Sequence, residues 1–143
     1  MFIGRYEHSI DAKNRLIVPA KYREELGNSF VITQGLDGCL YILPQRAFEE
    51  MAEKLSTLPL TDKDSRSLLR HLVSNATNCE FDKQGRVLLT PSQKEHAGII
   101  KDAIILGMIN KIEIWGKEAY KEFESGSDIE LIEQHLASQG LSI

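Results

Sequence analysis

At 143 residues the chain has room for one domain or two small halves, and 42% hydrophobic with 27% charged residues fits a globular protein. No apolar run approaches the ~20 residues of a membrane-spanning helix, and Met1-Phe2-Ile3-Gly4-Arg5 lacks the charged-then-apolar order of a signal peptide. The formal net charge of −4 would disfavour a polyanionic partner if it were evenly spread, but residues 117–143, with two lysines against six carboxylates, hold the whole excess. Residues 1–116 are neutral, and within them residues 1–23 set Arg5, Lys13, Arg15, Lys21 and Arg23 against Glu7 and Asp11, a local +3.

In chain order, residues 3–10 and 15–18 read as two strands joined at a hairpin tip. Pro19 suits the first turn of a short helix over Ala20–Leu26, with Gly27 as its stop. Phe30–Thr33 is rich in β-formers, Asp37-Gly38 marks a turn, and Cys39–Leu43 is the next strand. Pro44 opens a longer helix to about Leu55, in which Phe48, Met51 and Leu55 form a core-facing stripe. Residues 56–60 read as a linker, followed by a helix from about Asp62 to Asn75 with Leu68, Leu69, Leu72 and Val73 on one side. On that helix Lys63, Arg66 and Arg70 read as a solvated face.

The first pattern then returns. Asn78–Phe81 and Val87–Leu89 are strands around a second tip, Thr90 is a helix N-cap with Pro91 behind it, and a short helix stops at Gly98. Strands at Ala103–Leu106 and Lys111–Trp115 follow, with Gly107 matching Gly35 at an offset of 72. A helix then runs to about Glu124. Beyond Gly126 the chain is polar and acidic with one weak apolar stripe, Ile129, Ile132 and Leu136, which predicts a loosely held helix or a disordered tail. The chain is therefore a tandem duplication. A half of about 55 residues buries too little apolar surface to stand comfortably alone, so the halves are expected to interlock around a pseudo-two-fold axis.

The clearest repeated stretch is the tip itself. Asp11-Ala12-Lys13-Asn14-Arg15-Leu16-Ile17-Val18 is answered by Asp82-Lys83-Gln84-Gly85-Arg86-Val87-Leu88-Leu89. Asn14 falls on Gly85, the two residue types that most readily accept positive φ. Asp11 and Asp82 suit Asx-turn bonding. An exposed Asp–Arg pair alone contributes only ~0–1 kcal/mol, so pairing is a weak reason for both arginines. Two basic tips related by a dyad, Lys13 with Arg15 and Lys83 with Arg86, suit the duplex major groove, which admits a β-ribbon. There Arg offers a fork to guanine and Lys a point charge to phosphate.

Enzyme patterns are missing. His8, His71, His96 and His135 fall in no metal or catalytic spacing, and there is no nucleophile elbow or Walker loop. Asp11 and Asp82 each have an Arg four residues on, which should keep them ionised and unsuited to acid catalysis. Cys39 and Cys79 lie in no metal-spaced cluster and read as buried free thiols. No cofactor, metal or small-molecule substrate is expected, and with few aromatics near the basic residues a single-strand surface is disfavoured. A non-catalytic scaffold or protein-binding module stays open as the alternative, kept alive by the acidic tail; a hydrolase is a distant third.

The opening Met-Phe-Ile-Gly, the run Ile10–Arg23, the stretch Phe81–Val87 and Asn110–Trp115 together resemble the bacterial MraZ family. The resemblance covers about residues 1–124. It implies an α+β, mainly β fold in which two AbrB-like repeats form a swapped-hairpin β-barrel, with repeats at 1–56 and 61–124 and an acidic tail at 125–143. It further implies a cytoplasmic, nucleoid-associated, ring-forming regulator, usually a repressor, that binds double-stranded DNA repeats upstream of a cell-division and cell-wall gene cluster. Carried over by position, Arg15 and Arg86 face DNA with Lys13, Lys83 and Asn14 beside them, while Asp11 and Asp82 hold the loops. Asn14 departs from the Gly usual in the family, and little change is expected because Asn tolerates the same backbone.

Overall fold

The computed structural model describes every residue except Ser142. The described residues form eight strands and six helices: β1 (Arg5–Ser9), β2 (Arg15–Ile17), α1 (Ala20–Leu26), β3 (Phe30–Gln34), β4 (Leu40–Pro44), α2 (Gln45–Ser56), α3 (Lys63–Leu72), β5 (Thr77–Cys79), β6 (Arg86–Leu88), α4 (Pro91–His96), β7 (Asp102–Gly107), β8 (Ile112–Gly116), α5 (Lys117–Ser125) and α6 (Ile129–Ser138). The local causes are ordinary. Pro19 precedes α1 and Gly27 ends it at φ 77°. Thr90 and Gln93 form a reciprocal capping box at the start of α4, with Pro91 in its first turn. Asp62 caps α3, and Asp128 caps α6 by accepting from the backbone of Glu130 and Leu131. The acidic tail thus contains a ten-residue helix, exposed along its length except at Leu136.

The strands make a six-stranded antiparallel sheet in the order β1-β7-β8-β4-β3-β5, and a separate ribbon of β2 with β6. The expected interlocking is seen in the pairing. β1, from the first copy, lies on β7 of the second, while β5 of the second lies on β3 of the first. At the centre of the sheet Tyr41 opposes Glu113, and at the centre of the ribbon Leu16 opposes Val87. Each of these pairs joins equivalent positions of the two copies, so a pseudo-two-fold axis runs through both. No strand ladder among the described residues joins the sheet to the ribbon. The fold is α+β on an antiparallel sheet as expected, but the barrel is not closed by continuous hydrogen bonding. Side chains join the two layers. Leu16, Val18, Val87 and Leu89 from the ribbon side pack with Phe30, Ile32, Leu40, Ile42, Ile105, Ile112 and Ile114 from the sheet in one buried cluster.

A second cluster covers the other face of the sheet. There Tyr41, Leu43, Ile104 and Trp115 meet Leu55 and Leu72, with Phe48, Met51, Leu68 and Leu69 packed against them. The stripe of α2 and Leu68, Leu69 and Leu72 of α3 are therefore core, as their helical spacing indicates, whereas Val73 follows the end of α3 and is exposed. One repeat match shifts by a residue. Phe30 and Ile32 share the inner core with Ala103 and Ile105, so Gly107 occupies the place of Gln34 rather than Gly35. The turn after β3 is one residue longer than the turn after β7 and absorbs the difference in a single 3-10 turn, Leu36–Gly38, with Asp37 at φ 66°. Cys39 is buried and Cys79 half-buried, and both are free thiols. Burial raises the Cys39 thiol pKa far above its usual range, which keeps it protonated and inert.

Candidate nucleic-acid interface

The two tips are near-copies in atomic detail. Asp11 N–H donates to the Arg15 carbonyl at 3.0 Å and Asn14 N–H to the Asp11 carbonyl at 3.0 Å; in the second tip Asp82 donates to Arg86 at 2.9 Å and Gly85 to Asp82 at 3.0 Å. One carboxylate oxygen of Asp11 accepts from the backbone of Lys13 and Arg15, both at 2.9 Å, and the other accepts from Arg15 Nε at 2.7 Å. Asp82 does the same with the backbone of Gln84 and Arg86 at 2.9 Å and with Arg86 Nε at 2.7 Å. Both carboxyls titrate below their usual range. In each case the backbone N–H of the arginine is the largest cause, its side chain adds to it, and desolvation opposes both. Each aspartate therefore holds its turn closed and fixes the base of its arginine.

The fourth residue of each tip extends the ribbon. Asn14 (φ 61°) and Gly85 (φ 76°) take the left-handed conformation, and each extends the pairing by offering its carbonyl across the dyad, to Leu89 N–H at 2.9 Å and Val18 N–H at 3.2 Å. Asn14 is thus a backbone element of the ribbon, half-buried. Gly85 is held more tightly. A Cβ there would lie 2.6 Å from the Arg23 guanidinium, which is anchored to the Val18 carbonyl. Gly85→Ala is expected to cost ~1–3 kcal/mol through the left-handed backbone and the displaced Arg23, whereas Asn14→Gly is expected to stay within about 1 kcal/mol. Urea denaturation of the two variants checks the contrast.

Alternation then sorts the ribbon. Leu16 and Val87 point into the core, while Arg15, Ile17, Arg86 and Leu88 share the outer face. Arg15 lies opposite Leu88 and Ile17 opposite Arg86. The two arginines are diagonal neighbours, ~7–8 Å apart by standard sheet geometry. They are not equivalent. Arg86 reaches Asp11 as well, Nη1 to Oδ2 at 3.6 Å, and bonds Gln84 through Nη2. Among the described residues the Arg15 side chain bonds only Asp11, and through Nε alone. Lys13 and Lys83 are exposed, one on each tip. All seven residues singled out from the sequence thus gather at one ribbon. Ile17 and Leu88, strand aliphatics by sequence, share this face and are 43% and 62% exposed. Counting by twos from each arginine finds them.

The fold and this face define a duplicated, strand-exchanged module that presents a paired cationic ribbon to solvent. The family described as "MraZ protein, putative antitoxin-like" matches the chain twice, over residues 1–71 and 72–139. The protein called transcriptional regulator MraZ in Clostridium beijerinckii is 50% identical over 142 residues, covering 99% of this chain and 100% of the relative. Its namesake in Thermoanaerobacter sp. is 48% identical over 138 residues, 95% and 96% of the two chains, and that in Clostridium tetani is 44% identical over 142 residues, 99% and 100%. The chain belongs to the MraZ family.

Proposed function

We propose that this protein is a transcriptional regulator that binds double-stranded DNA in a sequence-specific manner through the outer face of the β2–β6 ribbon. The observation that carries the reading is the pair of diagonal guanidinium groups on that ribbon, each fixed at its base by an aspartate. A two-stranded ribbon fits the major groove, where an arginine fork matches guanine O6 and N7. Arg15 and Arg86 read bases, Lys13 and Lys83 meet phosphates, Asn14 shapes the first tip, and Asp11 and Asp82 orient the loops. The relatives named as transcriptional regulators across nearly the full chain support the same reading.

One ribbon offers few cations, so a single copy binds DNA weakly and with strong salt dependence. Assembly into a ring that engages several neighbouring DNA repeats raises the effective concentration, by ~10²–10⁴ in favourable geometry. In this reading the ring sits on promoter DNA upstream of its own cell-division and cell-wall gene cluster and represses it, and the protein is cytoplasmic and nucleoid-associated. No helix among the described residues is long and apolar enough to cross a membrane. The test is footprinting on the DNA upstream of the protein's own coding sequence, with a salt series. Protection in regularly spaced blocks that fades as salt rises is expected. A unprotected region or a flat salt response overturns the proposal.

A further inference from the structure

Two aliphatic side chains on the ribbon are not accounted for by packing. Ile17 and Leu88 are 43% and 62% exposed, although the core lies one residue away on either strand. They sit within the cationic patch, Leu88 directly opposite Arg15 and Ile17 directly opposite Arg86. Cross-strand partners have Cβ atoms ~4.5–5.5 Å apart, so each arginine stands beside an aliphatic within one or two base steps of 3.4 Å. The dyad repeats the arrangement, and each aliphatic occupies the position of the other in its own copy. In the major groove the thymine C5-methyl is the apolar group that a base edge offers.

We propose that Ile17 and Leu88 are specificity-determining residues that read thymine C5-methyl groups adjacent to the guanines held by Arg86 and Arg15. The inference rests on the reading of the ribbon as a duplex-binding face, and deepens it. The arginines alone favour guanine. The aliphatics add a preference for thymine at the neighbouring step, because a methyl buried against them leaves water without loss of any hydrogen bond. A cytosine there would present its amino group to an apolar surface and leave that donor unpaired. The favoured element is therefore a mixed guanine–thymine one, with one such step under each half of the ribbon.

The experiment uses the full-length protein and the duplex defined by footprinting, synthesised once with thymine and once with deoxyuridine throughout, which removes only the methyl groups. Fluorescence anisotropy on the wild type is expected to show affinity lower by about 4-fold for each contacted methyl, or about 16-fold for two. The Ile17→Ala/Leu88→Ala double variant is expected to bind both duplexes equally. Because both side chains are exposed, the variant keeps its core, and the wild-type comparison needs no variant at all. Equal wild-type affinity for the two duplexes overturns the inference, as does a thymine preference that survives in the double variant. If the wild type is indifferent to the methyls while Arg15→Ala still loses binding, this inference alone falls. If neither duplex binds better than an unrelated sequence, the duplex reading falls with it.

Discussion

Arg15→Ala is expected to lower affinity for the footprinted duplex by between about 5-fold and 150-fold, the range of one lost bidentate arginine–base contact. Thermal stability should be unchanged. The reason lies in how the side chain is held. Asp11 engages Nε at 2.7 Å and the Arg15 backbone N–H at 2.9 Å, so the guanidinium is aimed while its outer nitrogens stay open to a ligand. Arg15→Lys should recover little, because a lysine supplies charge without the fork. Arg86 behaves differently. It bonds Asp82, Gln84 and Asp11 at once, so Arg86→Ala removes a tie between the two tips as well as a ligand group. A loss of binding with altered tip mobility is expected there. Anisotropy with each variant, together with melting curves, separates the two roles. Unchanged affinity for Arg15→Ala would end the ribbon model.

Leu16→Ala is expected to destabilise the fold by ~2–5 kcal/mol, and its neighbour Ile17→Ala by less than about 0.5 kcal/mol. Leu16 is completely buried at the dyad, opposite Val87 and inside the cluster that joins ribbon to sheet. No strand ladder ties these layers at that point, so apolar contact is what holds the ribbon down. Removing it leaves a cavity that rigid β-strands on both sides relax into poorly. Urea denaturation at one fixed protein concentration, which keeps any self-association constant, reads the difference directly. Similar midpoints for the two variants would mean that the ribbon contributes little to the fold.

Both predictions turn on a feature that was half legible in the residues. The Asp–Arg spacing, the Asn14–Gly85 match and the glycine and proline stops are local signals, and they located the tips, the duplication and most of the elements. The exchange of β1 and β5 between copies has no local signature, since it depends on pairings such as Tyr6 with Ile105, about a hundred residues apart in the chain. The Gly35–Gly107 match misled by one residue because glycines at turns align by composition, while the strands align by which side chains face the core. The exposed positions of Ile17 and Leu88 could have been counted, but three aliphatics in a row read as a buried strand. The helix α6 was expected only as one of two outcomes, because its apolar stripe is weak and its start rests on the single cap at Asp128.

Strand exchange between two copies has a further meaning when the copies share one chain. Two separate single-copy chains with this topology would form a homodimer with a strictly symmetric ribbon, suited to an inverted repeat. The connection between α2 and α3 makes that association intramolecular and lets the halves diverge. They have done so: Lys13 stands where the second tip has Gln84, Lys83 where the first has Ala12, and Arg23 where the second copy has Lys94. The ribbon consequently has a head and a tail. The difference is one of charge at its two ends, since Arg15, Arg86, Ile17 and Leu88 at its centre keep the dyad.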